Sequence, residues 1–344
     1  MNDLLRKASA IAEEVLFPAA GAVDASGLIP ESHFRLLAEE GFHGLIAPRE
    51  LGGQGADFET FLRVVETLAG GCLATAFTWL QHHGVVMGLA MTPNTALREG
   101  YLDAAVRGEL TGGAAFSGVV QTPARVRATR SGDGWTLTGQ IPFVSGWGVV
   151  DVLQLSAADE NGDIVSCLID AKPAEGIEAV HALDLVAGQA TSTVRLDLRD
   201  LWIPDTKVTT RTPLAEFVTG MVPSLRVDGS LPLGLAGRAA ALTEAAGQEE
   251  AAAGLRAEAA ALRAKFDAAM AEPAELPAMR ASASEFAVRA TGTAVVATGS
   301  QALLTSHAAQ RLAREALFTL VVASRPAVKS GLLRLLSSKV DSSV

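Results

Sequence analysis

Apolar residues recur at helical spacing through residues 3 to 22 and again through 30 to 40, the pattern that lays one stripe of a helix against a core. Pro30 suits the first turn of the second helix, where its missing amide hydrogen has no intrahelical partner to lose. Asp57 stands at the N-cap position of a helix that begins Phe58-Glu59-Thr60-Phe61 and runs to Leu68, since a carboxylate there accepts from the unpaired amides of the first turn. Two more helices are predicted over 72 to 90 and 93 to 107. From about Leu110 the period falls to two. Arg125 to Arg130 alternates, Ser131-Gly132-Asp133-Gly134 is a turn, and Trp135 to Gln140 alternates again, which predicts a hairpin. Further strands are expected at 151 to 157, 164 to 170 and 192 to 199, separated by Gly, Asp and Pro. Beyond residue 211 the chain is rich in Ala and Leu, and four or five long helices packed as a bundle are expected. The stretch 244 to 265 reads either as one of these helices or as a solvated, flexible segment. The pattern predicts a mainly α chain with a central β-domain: helices over 1–110, strands over 111–208 and a helical bundle over 209–344.

Composition narrows the class. With 49% hydrophobic and 19% charged residues in 344 positions, the chain has the make-up of a globular protein with room for two or three packed units. A net charge of -10 without a cluster of Lys and Arg argues against a nucleic-acid or anionic-membrane partner, because phosphates are bound by grouped cations. Cys72 and Cys167 stand far apart and without a CxxC or His-rich neighbourhood, so both read as buried thiols, with no metal site indicated. Acidic Asp3, Glu13 and Glu14 replace the basic-then-apolar pattern of a leader, and no apolar run reaches membrane-spanning length. A cytoplasmic location is the expectation. No P-loop, no GxGxxG after a strand and no HExxH occurs, so nucleotide hydrolysis, dinucleotide binding of that type and zincin chemistry have no support.

Five segments, in order, carry a resemblance. Pro48-Arg49-Glu50-Leu51-Gly52-Gly53-Gln54-Gly55 resembles the Pro-x-x-Tyr-Gly-Gly-x-Gly turn of the acyl-CoA dehydrogenase family, with Leu51 in place of the tyrosine. Gly134-Trp135-Thr136-Leu137-Thr138-Gly139-Gln140-Ile141-Pro142-Phe143-Val144-Ser145-Gly146 is similar to that family's Gly-aromatic-x-Leu-x-Gly-x-Lys-x-aromatic-Ile-Thr-Asn hairpin, with Ile141 for the Lys and Gly146 for the Asn. Leu201-Trp202-Ile203-Pro204-Asp205 is similar to its Val-Pro-x-Asp exit from the β-domain. Gly234-Leu235-Ala236 and Arg311-Leu312-Ala313-Arg314-Glu315-Ala316 are similar to two motifs of its helical bundle.

That resemblance implies an acyl-CoA dehydrogenase-like fold with a β-barrel middle, FAD held between the β-domain and the bundle, and an acyl thioester substrate. It also implies a carboxylate base for the α-proton. Ser145 matches the residue whose hydroxyl and backbone contact the flavin, Phe143 the aromatic two positions earlier, and Ser117 the Thr of a Thr-Glu-Pro segment at the flavin pyrimidine. A strand-end Ser bonding its own turn is the other reading of Ser117 and Ser145. Family members form dimers or tetramers, and a dimer is expected here.

The departures concern the cofactor phosphates and the base. Where the family carries Gly-x-Gly-Ser-Asp, this chain reads Val119-Val120-Gln121-Thr122-Pro123; Ala245-Ala246-Gly247-Gln248-Glu249-Glu250 replaces the Arg-x-x-Phe-Gly hairpin, and Val296-Ala297-Thr298-Gly299-Ser300 its Gln-x-x-Gly-Gly. The Tyr-Glu-Gly-Thr turn that supplies the usual base becomes Val322-Ala323-Ser324-Arg325-Pro326. Asp228 is then the candidate base, or else a residue that caps or solvates a helix start. His82 and His83 read as substrate neighbours or as structural residues, and Arg325 as an anion-binding residue or a cap on the preceding helix. Two alternatives to a dehydrogenase stay open: a non-catalytic subunit that pairs with a related chain, and a flavin-dependent monooxygenase of the same fold, which needs no such base.

Overall fold

A computed structural model describes residues 3–120, 123–323 and 325–337. Gln121 and Thr122, at the Gly-x-Gly-Ser-Asp position, and Ser324, in the turn before the last helix, lie outside the described residues.

The chain opens with helices α1 (Asp3–Ala10), α2 (Phe17–Ser26), α3 (Glu31–Glu39), α4 (Phe58–Gly71), α5 (Leu73–Met91) and α6 (Thr95–Arg107). α1 runs into α2 through a π-helical turn, Ile11–Leu16, so the helix expected to stop at residue 22 continues to Ser26, where Gly27 at φ 66° closes it. Pro30 is the N-cap of α3 and sits just outside the first turn predicted for it. Asp57 caps α4, its carboxylate accepting from the Thr60 amide at 2.7 Å. In the turn that joins α3 to α4, a Cβ on Gly53 would stand 2.1 Å from the Ala47 carbonyl oxygen, so this Gly is required by a close approach of backbone. Trp79 on α5 is fully buried and donates its indole N–H to the Phe42 carbonyl at 3.2 Å.

Strands follow: β1 (Gly112–Ala115), β2 (Val126–Ser131), β3 (Gly134–Val144), β4 (Val152–Ala158), β5 (Ile164–Asp170), β6 (Ile177–Ala182), β7 (Val194–Pro204) and β8 (Val208–Thr212). Their order is β6-β7-β3-β2-β4-β5-β8, with β1 parallel to β4. β6 and β8 are the two ends of that path, so among the described residues the barrel-like middle is closed by its shared apolar interior, built from Leu137, Ile141, Leu155 and Leu196, and not by a ring of hydrogen bonds. The predicted β2–β3 hairpin is present, with Ser131 opposite Gly134.

The bundle comprises α7 (Leu214–Gly220), α8 (Ser224–Asp228), α9 (Ser230–Ala245), α10 (Glu249–Ala268), α11 (Leu276–Thr298), α12 (Ala308–Val321) and α13 (Pro326–Ser337). The flexible reading of 244 to 265 is corrected: Glu249–Ala268 is one helix, because Ala252, Leu255, Ala259 and Phe266 recur at helical spacing and are buried against α9 and α11. α9 is buried on most of its circumference and crosses α4 so closely that a Cβ on Gly234 would lie 2.2 Å from the Glu66 carbonyl oxygen.

One ion-pair network joins α4, α8 and α10. The Glu66 carboxylate accepts from Arg63 at 3.0 Å, Arg226 at 3.4 Å and Arg263 at 2.9 Å, while Asp267 takes Arg226 at 2.7 Å and Arg63 at 3.0 Å. Arg226 is fully buried and also reaches Ser230. Charges so enclosed persist only when paired and hydrogen-bonded on every side.

Candidate functional site

The end of β3 is shaped by a bulge. Ile141 pairs with Leu196 and Val144 with Val194, so Pro142 and Phe143 together oppose the single Arg195. An extra residue bends a strand and re-aims a side chain, and Pro, with no N–H for the ladder, is suited to it. Ile141 and Val144 stay fully buried, whereas Phe143 is 59% exposed. Ser117, just past β1, fixes this exposed residue from the side: its Oγ accepts from the Phe143 amide at 3.2 Å and donates to the Phe143 carbonyl at 2.9 Å.

Ser145 follows two residues later and is buried. Its Oγ is 2.7 Å from Thr193 Oγ1, which is 2.7 Å from Thr191 Oγ1. Main-chain bonds brace this corner, with the Gly146 amide on the Thr191 carbonyl at 2.7 Å. Ser192, between the two threonines, has φ 50° in the left-handed region, a strained setting for a residue with a Cβ. Ser117 and Phe143 are thus bonded to each other, and Ser145 lies two residues beyond Phe143, just past the end of β3. Thr191 and Thr193 leave no mark in the sequence beyond the run Thr191-Ser192-Thr193.

Asp228 belongs to a separate cluster in the bundle. It is half-buried at the end of α8, and Gly229 keeps helical backbone (φ -69°, ψ -16°), so the chain passes straight into α9. The reading of Asp228 as a helix-start cap is therefore corrected. Gly229 makes room for a ring and does not break the helix: a Cβ there would lie 2.1 Å from Phe266 Cε1. Burial pushes the Asp228 carboxyl up to about 6, against the pull of the Arg280 and Arg325 charges and a hydrogen bond from Ser224. Arg280 is buried, bonded to Ser284 and to the Thr319 carbonyl at 2.9 Å, with its Nε left without a partner among the described residues. Arg325 does not cap α12, the helix before it; its guanidinium donates to the Met221 carbonyl at 2.5 Å, at the C-terminal end of α7, and to Ser224 Oγ at 3.1 Å.

His82 and His83 lie inside the fold. His82 Nε2 is 3.0 Å from the Ala105 carbonyl and its Nδ1 accepts from the Gly112 amide at 3.1 Å, so a neutral ring protonated on Nε2 links α6 to β1. His83 Nε2 meets the Phe42 carbonyl at 3.1 Å. Both cysteines are buried and free, and burial raises both thiols, Cys167 to about 12. Among the described residues no His, Cys, Asp and Glu cluster has the geometry of a metal site, and no helix is long and apolar enough to cross a membrane.

A helical unit, a curled antiparallel-rich sheet and a helical bundle in this order define the acyl-CoA dehydrogenase fold. A glutaryl-CoA dehydrogenase from Mycobacterium smegmatis, solved in complex with FADH2, superposes with a TM-score of 0.84 at 15% identity over 98% of this chain and 94% of its own. Residues 2–109 match the family model of the acyl-CoA dehydrogenase N-terminal domain. The opening 109 residues of the chain are therefore like the N-terminal domain of that family, and the whole chain shares that family's fold. It is 26% identical over 72% of its length to a 3-(aryl)acrylate reductase of Clostridium sporogenes, and 24% identical over 68% to the mitochondrial short-chain specific acyl-CoA dehydrogenase of Bos taurus. Those matches span 67% and 58% of the two relatives.

Proposed function

We propose that this chain is a flavin-dependent oxidoreductase acting on an acyl thioester, with FAD held between the sheet and the bundle. The observation that carries this reading is the set Ser117, Phe143 and Ser145 at the end of β3, where an exposed aromatic is held at both its backbone groups and a hydroxyl follows two residues on. An exposed aromatic on a braced main chain offers a planar ring system contact area. That set fits an isoalloxazine, and the FADH2 in the glutaryl-CoA dehydrogenase relative supports the same group here. When bound, FAD supplies the hydride acceptor.

The chain's own residues do the rest. With FAD bound, Phe143 would pack against the cofactor and exclude water, and Ser145 would offer it a hydroxyl. Asp228 is the base for the α-proton: a carboxyl near pH 6 is ionised at pH 7 yet basic enough to accept a proton. Arg280 and Arg325 stabilise its charged form between turnovers. Flavin content, as isolated and after incubation with FAD, tests the reading. A yellow protein bleached by an acyl-CoA without oxygen is expected; a colourless one that refuses added FAD would sink it.

The acidic start of α10 favours a second reading, a subunit that pairs with a related chain. Glu249 and Glu250 are exposed in its first turn, where family resemblance places contact with a neighbour's FAD pyrophosphate, and two carboxylates repel phosphate. Such a chain serves poorly as its own neighbour. Retention of FAD only when a related chain is co-purified supports this reading, and full flavination of the homo-oligomer rejects it.

A further inference from the structure

The three hydroxyls at the corner between β3 and β7 can be counted proton by proton. Ser145, Thr193 and Thr191 each carry one hydroxyl hydrogen, and two hydrogen bonds of 2.7 Å link them. One hydrogen is left over. If the chain ran from Ser145 to Thr191, the surplus hydrogen would sit on Thr191, which is completely buried and has no other hydroxyl partner among the described residues. If Ser145 and Thr191 both donated to Thr193, it would be stranded on Thr193, 6% exposed and equally without a further partner. A buried donor left without an acceptor is costly. Only the direction Thr191 to Thr193 to Ser145 places the surplus on the outermost of the three, Ser145, at 9% exposure beside the exposed Phe143.

From this count we infer that Thr191 and Thr193 are positioning residues that turn the Ser145 hydroxyl into an outward-pointing donor, ready for an acceptor nitrogen or oxygen on the edge of a bound ring. The inference rests on the flavin reading above for the identity of that ring. The corner is built to hold this direction. Ser192 in the left-handed region sets its two neighbours on one side, and the Thr191 main chain is anchored by bonds to Gly146 at 2.7 Å and Gly188 at 2.9 Å. The strain at Ser192 is the kind that persists where surrounding contacts over-determine a site.

FAD titration of the full-length protein, followed by flavin fluorescence and absorption, tests the relay in the wild type and in Thr193→Val, Thr193→Ser, Thr191→Val, Ser145→Ala and the Ser145→Ala/Thr193→Val double variant. Thr193→Val is expected to weaken FAD about tenfold, with Thr193→Ser restoring it and Thr191→Val falling between. The double variant should lose no more than Ser145→Ala alone, because the threonines act through that hydroxyl. Should Thr193→Val fail to fold, Thr191→Val, which leaves Thr193 free to point either way, decides alone. Wild-type affinity in Thr193→Val, or losses that add in the double variant, overturns the relay and leaves the flavin reading standing. A wild type that takes up no FAD overturns both.

Discussion

Ser117 and Phe143 are bonded twice, the serine Oγ bridging the phenylalanine amide at 3.2 Å and carbonyl at 2.9 Å across 26 residues of sequence. The bridge satisfies the main-chain groups of Phe143 at the bulge beside Pro142 and so holds its backbone in place. Ser117→Ala is expected to weaken FAD about fivefold, the worth of roughly one net hydrogen bond, with little change in melting temperature. Parallel FAD titrations and thermal melts separate the two effects.

Asp228→Asn keeps the shape of the side chain and removes its ability to take a proton. The variant should bind FAD as the wild type does and fail to bleach with acyl-CoA. In the wild type the rate of bleaching should rise with pH through about 6, as the carboxyl ionises. Stopped-flow absorbance at several pH values measures this, and undiminished bleaching in the variant removes Asp228 from the mechanism.

Glu66→Ala withdraws a carboxylate from three arginines, of which Arg226 is fully buried. Breaking such a network from one side leaves uncompensated charge, and a loss of about 3–5 kcal/mol is expected. Urea denaturation reads it directly. A change of less than about 1 kcal/mol would place the network with exposed pairs that contribute little.

Acid should destabilise the protein. Burial lowers His33 and holds His43 at about 4 and His83 at about 3, with His82 well below the usual range through burial and its imidazole neighbours. The folded state then binds fewer protons than the unfolded state below pH 6.5, so stability from these rings is complete above 6.5 and is lost as pH falls. Glu315, lifted to about 7 by burial, and Asp228, lifted to about 6, act in the opposite sense and gain stability as they protonate. Four lowered groups against two raised ones leave a net loss of stability as pH falls below about 6. Chemical denaturation between pH 7.5 and 5 checks the slope, and a flat profile would mean the rings are charged in the folded protein.

What the sequence revealed depended on whether a residue's role left a periodic mark. The buried stripe of α4 and the alternating β2–β3 hairpin were legible because one face of each meets a core. β1 was not, since Gly112-Gly113-Ala114-Ala115 has no alternation; its glycines exist because a Cβ on Gly112 would lie 2.6 Å from Val85 Cγ2. β6 has no buried residue and left no apolar face to read. Ser117, Phe143 and Ser145 could be chosen from motif resemblance, and the structure bonds Ser117 to Phe143, with Ser145 two residues beyond. The threonines behind Ser145 could not, because the bonds that matter span 48 residues and depend on the return of β7 beside β3. Arg280 left no trace either: its neighbours in α11 are ordinary helix formers, and only the approach of α12 gives it the Thr319 carbonyl.

At Gly234 the main chains of two helices touch, with the Glu66 carbonyl lodged where any side chain would stand, and Gly70 faces the Gly234 carbonyl in return. The seam has no side-chain padding that another surface could replace. Cutting the polypeptide near residue 110 would expose bare peptide groups on α4 and part Glu66 from Arg226 and Arg263, so the opening helices and the closing bundle, although far apart in sequence, should melt as one cooperative body.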